Sequence, residues 1–241
     1  MGLASQTIFK RYELKYLISA HQKQVILQAM GPYMTPDEYG KTTIRNIYFD
    51  TDHYRLIRRS IERPAYKEKL RIRSYDLAKP GSTVYVELKK KYDHVVYKRR
   101  VSLPEKEAMI WLCSDAHCPV DTQISREIDY FLSYYETLKP RVFLSYEREA
   151  YYSKCGDGFR VTFDENILCR MKEFSLQSDI WGKPLLKEGL VLMEIKSPDR
   201  IPMWMTKLLS RERIYRSSFS KYGTAYEQII FPKLKEATQY A

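Results

Sequence analysis

In Lys69-Leu70-Arg71-Ile72-Arg73, charged and apolar residues alternate one for one. The same rhythm returns in Tyr12-Glu13-Leu14-Lys15-Tyr16, Val84-Tyr85-Val86-Glu87-Leu88-Lys89, Phe159-Arg160-Val161-Thr162-Phe163-Asp164 and Val191-Leu192-Met193-Glu194-Ile195-Lys196. Side chains alternate across a strand, so each segment has an apolar face and an ionic face. The pattern predicts strands over 9–18, 42–50, 66–75, 83–91, 95–102, 141–152, 159–164 and 190–196. About eight strands close a barrel whose interior holds side chains or one ligand. Lys79-Pro80-Gly81-Ser82 and Tyr92-Asp93-His94 read as hairpin turns, and Gly156-Asp157-Gly158 precedes the seventh strand. Antiparallel pairing is therefore expected.

Helical patterns fill the gaps. Ser19-Ala20-His21-Gln22 reads as a capping box opening a helix that buries Val25, Ile26, Ala29 and Met30. Pro104 starts a short helix toward Trp111, and Ile124, Ile128, Phe131 and Tyr135 mark an amphipathic helix after Asp121 or Thr122. Pro202 opens another, with Ile201, Trp204, Met205, Leu208 and Leu209 on one face; a last helix begins near Ser218 and runs toward Phe231. If the apolar strand faces look outward, these helices cover them and the ionic faces line the interior. The predicted fold is α+β, an eight-stranded antiparallel β-barrel covered on the outside by amphipathic helices. No repeat or Gly/Ser linker interrupts it, so one domain over 1–241 is expected.

Charge narrows the partner. Lys plus Arg number 41 against 30 Asp plus Glu, a net +11, which favours an anion: nucleic acid, a lipid surface or a phosphorylated small molecule. No apolar run approaches the roughly 20 residues that span a bilayer. Met1 to Lys10 lacks the apolar stretch of a secretory signal, so a cytoplasmic protein is expected. Cys113, Cys118, Cys155 and Cys169 form no CxxC pair; His117 lies between the first two, but no second pair completes a zinc site. Neither GxxxxGK[ST] nor GxGxxG occurs, and His21, His53, His94 and His117 are too scattered to suggest a relay. The 21 tyrosines beside so much positive charge suit RNA stacking, but most alternate within strands or helices, where core packing accounts for them.

A solvated sheet face would explain any one ionic strand. Here the ions crowd the strand centres, and Lys69, Arg71 and Arg73 stand side by side at two-residue spacing, where like charges repel unless an anion lies between them. A phosphate chain supplies that anion, and arginine offers it a planar donor fork. The pairs Glu13/Lys15, Glu87/Lys89 and Glu194/Lys196 read either as cross-strand salt bridges, the reading favoured for Glu87, or as ligands of a divalent ion such as Mg²⁺ or Mn²⁺.

Several segments, in order, resemble one family: Phe9-Lys10-Arg11-Tyr12-Glu13-Leu14-Lys15-Tyr16, Tyr48-Phe49-Asp50-Thr51, Lys69 to Arg73, Val86-Glu87-Leu88-Lys89, Tyr97-Lys98-Arg99-Arg100-Val101, Leu192-Met193-Glu194-Ile195-Lys196 and Ser218-Phe219-Ser220-Lys221-Tyr222-Gly223. The chain resembles the VTC domain, the polyphosphate polymerase domain of vacuolar transporter chaperones, within the CYTH or triphosphate tunnel metalloenzyme superfamily. That resemblance implies a tunnel barrel in which Lys15, Arg71, Arg73, Lys89, Lys98, Tyr146, Arg148, Arg160, Ser220 and Lys221 handle phosphates. It implies Mn²⁺ or Mg²⁺ as cofactor, held by Glu194 with Glu13, and ATP and polyphosphate or triphosphate as partners. Nucleic acid is disfavoured, and a membrane partner is compatible. Arg11 stands where the superfamily's ExExK has its first acid, and Ser218 stands where the family can carry a lysine, with Arg216 nearby. The expected activity is transfer of the γ-phosphoryl group of ATP to a growing polyphosphate chain. The alternatives are a tunnel triphosphatase, a non-catalytic binder of polyphosphate or inositol polyphosphates, and an RNA-binding module.

Overall fold

A computed structural model describes the backbone of residues 8–9, 12–93 and 95–239; Lys10, Arg11 and His94 lie outside the described residues. All eight expected strands form. They are β2 (Tyr12–Ser19), β4 (Thr42–Asp50), β5 (Tyr66–Tyr75), β6 (Thr83–Tyr92), β7 (Val95–Pro104), β8 (Lys139–Ser153), β9 (Arg160–Arg170) and β11 (Leu190–Ser197). Short strands β1 (Ile8–Phe9), β3 (Met34–Pro36) and β10 (Lys183–Pro184) were not foreseen, being too brief to show an alternation. The strands make one antiparallel 11-stranded sheet in the order β1-β7-β6-β5-β4-β8-β9-β11-β2, with β3 on β8 and β10 on β9.

The expected barrel needs one correction. Among the described residues its hydrogen-bond ladder does not close: β7 is met on its outer edge only by the two residues of β1, and β2 pairs with β11. The two ends of the sheet are nevertheless consecutive in the chain. Side chains also meet across the seam, where Lys89 of β6 lies 3.6 Å from Glu13 of β2.

Helices cover the outward faces, as the alternation requires. Helix α1 (Ala20–Met30) starts at the Ser19/Gln22 capping box, with both reciprocal hydrogen bonds present at 3.0 and 3.1 Å. With α5 (Met203–Arg211) it buries Ile26, Met30, Met205 and Leu208 against Ile18, Val161, Phe163, Met193 and Ile195. On the other side, α3 (Glu105–Cys113) and α4 (Gln123–Tyr135) place Trp111, Ile128 and Phe131 on Leu70, Ile72, Val86, Leu88 and Val101. Each such side chain contributes about 1.5–3 kcal/mol by leaving water. Even-numbered residues of β5 and β6 thus face these helices, and their odd-numbered charged partners face inward.

Helix α2 (Arg55–Ile61) carries no periodic signal long enough to predict. Its cap comes from the preceding strand: Asp50 accepts hydrogen bonds from the backbone N–H groups of Thr51, Leu56 and Ile57 at 2.8–3.0 Å. Asp50 also accepts from the Tyr222 hydroxyl at 2.9 Å, which anchors α6 (Lys221–Ala225). Burial pushes the Asp50 carboxyl up despite these donors. Helix α6 continues through a π turn, Tyr226–Ile230, into α7 (Phe231–Gln239). Tyr222 and Tyr226 join Tyr48, Tyr146 and Leu192 in an apolar plug. Among the described residues no helix is long and apolar enough to cross a membrane.

Candidate active site

The inward faces gather two carboxylate-centred clusters. The first surrounds Glu87, 1% exposed on β6. Arg71 donates to it from Nε and Nη2 at 2.9 and 2.7 Å, Lys98 lies 2.8 Å away, and Arg100 donates from Nε at 2.9 Å. Arg73 stands back at 4.0 Å, fixed by the Asn46 side-chain oxygen at 3.0 Å and the Tyr146 hydroxyl at 3.2 Å. Arg71 donates also to the Tyr48 hydroxyl at 2.9 Å. Burial alone would raise the Glu87 carboxyl, but Arg71, Arg73, Lys98 and Arg100 outweigh it and hold it well below the usual carboxylate range. One carboxylate is thus holding four cations, and the salt-bridge role expected of Glu87 matches that geometry.

The second cluster joins Glu194 of β11 to Asp164 of β9, which is 0% exposed. Arg148 grips Asp164 with two donors at 2.6 and 2.7 Å and reaches Glu194 at 3.5 Å. Lys221 bridges the same two carboxylates, at 3.3 Å from Glu194. Lys196 and Lys15 add contacts to Glu194 at 3.0 and 3.6 Å. Burial would raise both carboxyls, but the surrounding cations lower them. The Tyr146 ring links the clusters, with the Lys221 ammonium 4.4 Å from its centroid.

Lys15 also sits 3.6 Å from Glu13, so one ammonium is shared between the two carboxylates proposed for a metal. Lys89 above all lowers the Glu13 carboxyl. Among the described residues no group of three or more His, Cys, Asp or Glu is arranged to hold an ion. Two carboxylates fit Mg²⁺ or Mn²⁺ all the same, because such ions commonly take one or two carboxylates and complete their shell with phosphate oxygens and water.

Three expected residues lie outside both clusters. Arg160 is 4.0 Å from Asp37 and stacks 4.6 Å from the Tyr152 ring centroid, and Ser220 accepts a hydrogen bond from Lys69 at 3.3 Å. Lys89 touches Glu13 alone among the expected set. Asp164, Arg100, Asn46 and Tyr48 were missed as site residues, while Lys69 and Lys196, marked by the alternation, were left out of the phosphate-handling set. The two-residue spacing that marked Arg71 also marks Arg100 after Lys98, and Asp164 stands four residues after Arg160 on the same strand face; Asn46 and Tyr48 carry no charge to reveal them.

Cations outnumber carboxylates inside. Among the described residues Lys67 and Lys69 make no ion pair, and they line a cavity of about 590 Å³ with Lys15, Lys89, Lys91 and Arg216, where Glu13 and Glu227 are the carboxylates. Burial, reinforced by Lys15, Lys89 and Lys67, pulls Lys69 down to about 7, and burial pulls Lys98 to about 8 in spite of Glu87. An incoming anion reverses that cost. Below about pH 7 Lys69 is already charged; above it, binding must bring in a proton. Tripolyphosphate affinity is expected to fall as pH rises from 7 to 9, by up to about tenfold per unit, with a shallower slope in Lys69→Met. Titration calorimetry across that range tests this, and identical slopes would refute it.

Residues 10–230 match the VTC domain. The chain belongs to the VTC domain family. This VTC domain is similar in fold to a candidate adenylate cyclase from Bacillus halodurans (18% identity, TM-score 0.57, covering 89% of this chain and 96% of that one). It is also similar to a candidate adenylyl cyclase from Hippeastrum described by a dominant triphosphatase activity (16% identity, TM-score 0.54, covering 90% and 93%). At such identities the likeness is one of fold. A search of curated proteins found no match.

Proposed function

We propose that this VTC domain is a polyphosphate polymerase that moves the γ-phosphoryl group of ATP onto the end of a growing phosphate chain. The observation that carries the reading is the state of the interior charges. Glu13, Glu87, Asp164 and Glu194 are all ion-paired and held below the usual carboxylate range, so none is suited to take a proton near neutrality. A terminal phosphate is already ionised and needs no base. What the transfer needs is positioning and charge neutralisation. Arg71, Arg73, Lys98 and Arg100 would clamp one stretch of phosphate, and Lys15, Arg148 and Lys221 another. Glu194 with Glu13 would hold a divalent ion, Mn²⁺ or Mg²⁺, which neutralises phosphate charge when bound. The reading includes a cytoplasmic setting, where ATP is supplied, and a single catalytic unit over 1–241.

A second reading, triphosphate hydrolysis, is favoured by one feature: burial beside Lys15, Lys89 and Lys67 pulls Lys69 down to about 7, which suits it to accept a proton from an attacking water. The two are separated by incubating purified protein with ATP and Mn²⁺ and resolving the products on a gel stained for polyphosphate. Long polymer is the expected product. Orthophosphate alone would replace the polymerase with the hydrolase, and neither product would leave a binder. Under the polymerase reading Glu194→Gln lowers polymer yield at least tenfold, the order of effect that one lost charge-assisted contact produces.

A further inference from the structure

The two ends of the cationic interior differ in chemistry. Along β5 the inward positions run Lys67, Lys69, Arg71, Arg73 and Tyr75. Along β6 they run Lys91, Lys89, Glu87 and Tyr85, with Lys67 opposite Lys91 and Arg73 opposite Tyr85. The lysine end opens on the 590 Å³ cavity. The other end gathers rings and guanidinium planes. Tyr75 and Tyr85 meet edge to face at 5.6 Å, Arg100 lies 4.5 Å over Tyr85, and Arg160 lies 4.6 Å over Tyr152. Tyr75 and Tyr152 remain 46% and 40% exposed, so their rings are available to a ligand. Arg160 Nε is buried without a hydrogen-bond partner.

Tyrosines occur at the lysine end too, but with the opposite parity. Tyr66 pairs with Tyr92 on the even-numbered face that carries Leu70 and Leu88 toward the helices. Inward aromatic rings therefore belong to one end of these two strands and inward lysines to the other. From Lys67 to Tyr75 the strand spans roughly 26 Å at about 3.3 Å per residue. That length accommodates a nucleotide and a phosphate chain end to end.

We propose that the tyrosine–arginine end is a stacking site for the nucleobase of the donor nucleotide, with its phosphates extending toward Glu87 and the inorganic chain lying at the lysine end. The assignment rests on the ATP-dependent reading above and specifies how that substrate lies. A neutral base gains nothing from an ammonium ion, but it stacks on aromatic and guanidinium planes whatever its identity. A bare phosphate chain has the reverse needs, and lysine serves it as a point charge.

The test compares two ligands that differ in the base. ATP and tripolyphosphate are titrated by calorimetry into the unaltered protein, into Tyr75→Ala/Tyr152→Ala and into Tyr75→Phe/Tyr152→Phe. In the alanine variant ATP affinity is expected to fall by about ten- to a hundredfold relative to tripolyphosphate. The phenylalanine variant keeps the unaltered ratio, because stacking uses the ring and not the hydroxyl. Should the alanine variant fail to fold, the ratio is read on Tyr75→Leu/Tyr152→Leu, which keeps bulk and removes the π face. An unchanged ratio, or an equal fall in both ligands, overturns the assignment. Polymer yield is scored separately: unaltered protein that makes none counts against the polymerase, while the binding ratio alone decides the stacking site.

Discussion

Glu87→Ala is expected to cost the ligand-free protein about 3–5 kcal/mol of stability, the range seen when one partner of a buried ion pair is removed. The cause is not the loss of an attraction alone. Arg71, Arg73, Lys98 and Arg100 converge on this buried carboxylate, and without it four cations face each other with no counter-charge between them. For a chain of this size the change corresponds to a Tm lower by roughly 6–20 °C in a thermal melt. Tripolyphosphate should restore part of the loss, because a bound anion supplies the missing charge and stabilises only the folded form. An unshifted Tm without ligand would mean that these cations are not held together by Glu87.

Arg71→Ala/Arg73→Ala is expected to do the opposite: the fold survives and the chemistry fails. Glu87 keeps Lys98 and Arg100, so its charge stays compensated, and Asn46 and Tyr48 lose donors without being left as buried ions. Each guanidinium contact to phosphate contributes about 1.5–3 kcal/mol, so losing both lowers kcat/KM for ATP by on the order of 10²–10⁴. Circular dichroism and a melt establish the fold, and product formation from ATP establishes the loss. Unchanged turnover would take both arginines out of the site.

The alternation in β5, β6, β9, β11 and β2 made most of this legible. A period of two states which residues share a face, and the amphipathic helices state that the apolar face is the covered one. Hence Lys15, Arg71 and Arg73 could be placed on one ionic lining before any contact was seen, whereas Lys98, Arg148 and Lys221, on β7, β8 and α6, joined them only through the resemblance to the VTC domain. What the pattern does not carry is pairing in space. Asp164 looked like the end of a strand, yet β9 continues to Arg170 and buries that carboxylate under Arg148 and Lys221. Asp50, in the Tyr48-Phe49-Asp50-Thr51 segment, turned out to be a brace between α2 and α6, a role that depends on backbone donors and one distant tyrosine. The open ladder was equally hidden, since strand count does not reveal which edges meet.

That open ladder governs how the protein is built. Strands β5, β6 and β7 are joined by short turns and can zip up as soon as they are made, bringing Arg71, Glu87 and Arg100 together. Strand β2 has no such neighbour; its ladder partner is β11, most of the chain away. Contacts between distant segments form slowly because a long loop must close first. Until Leu190 to Ser197 are available, β2 has no ladder partner and Lys15 has only Glu13 of its own strand beside it, so this wall of the interior depends on the longest loop closure in the sheet.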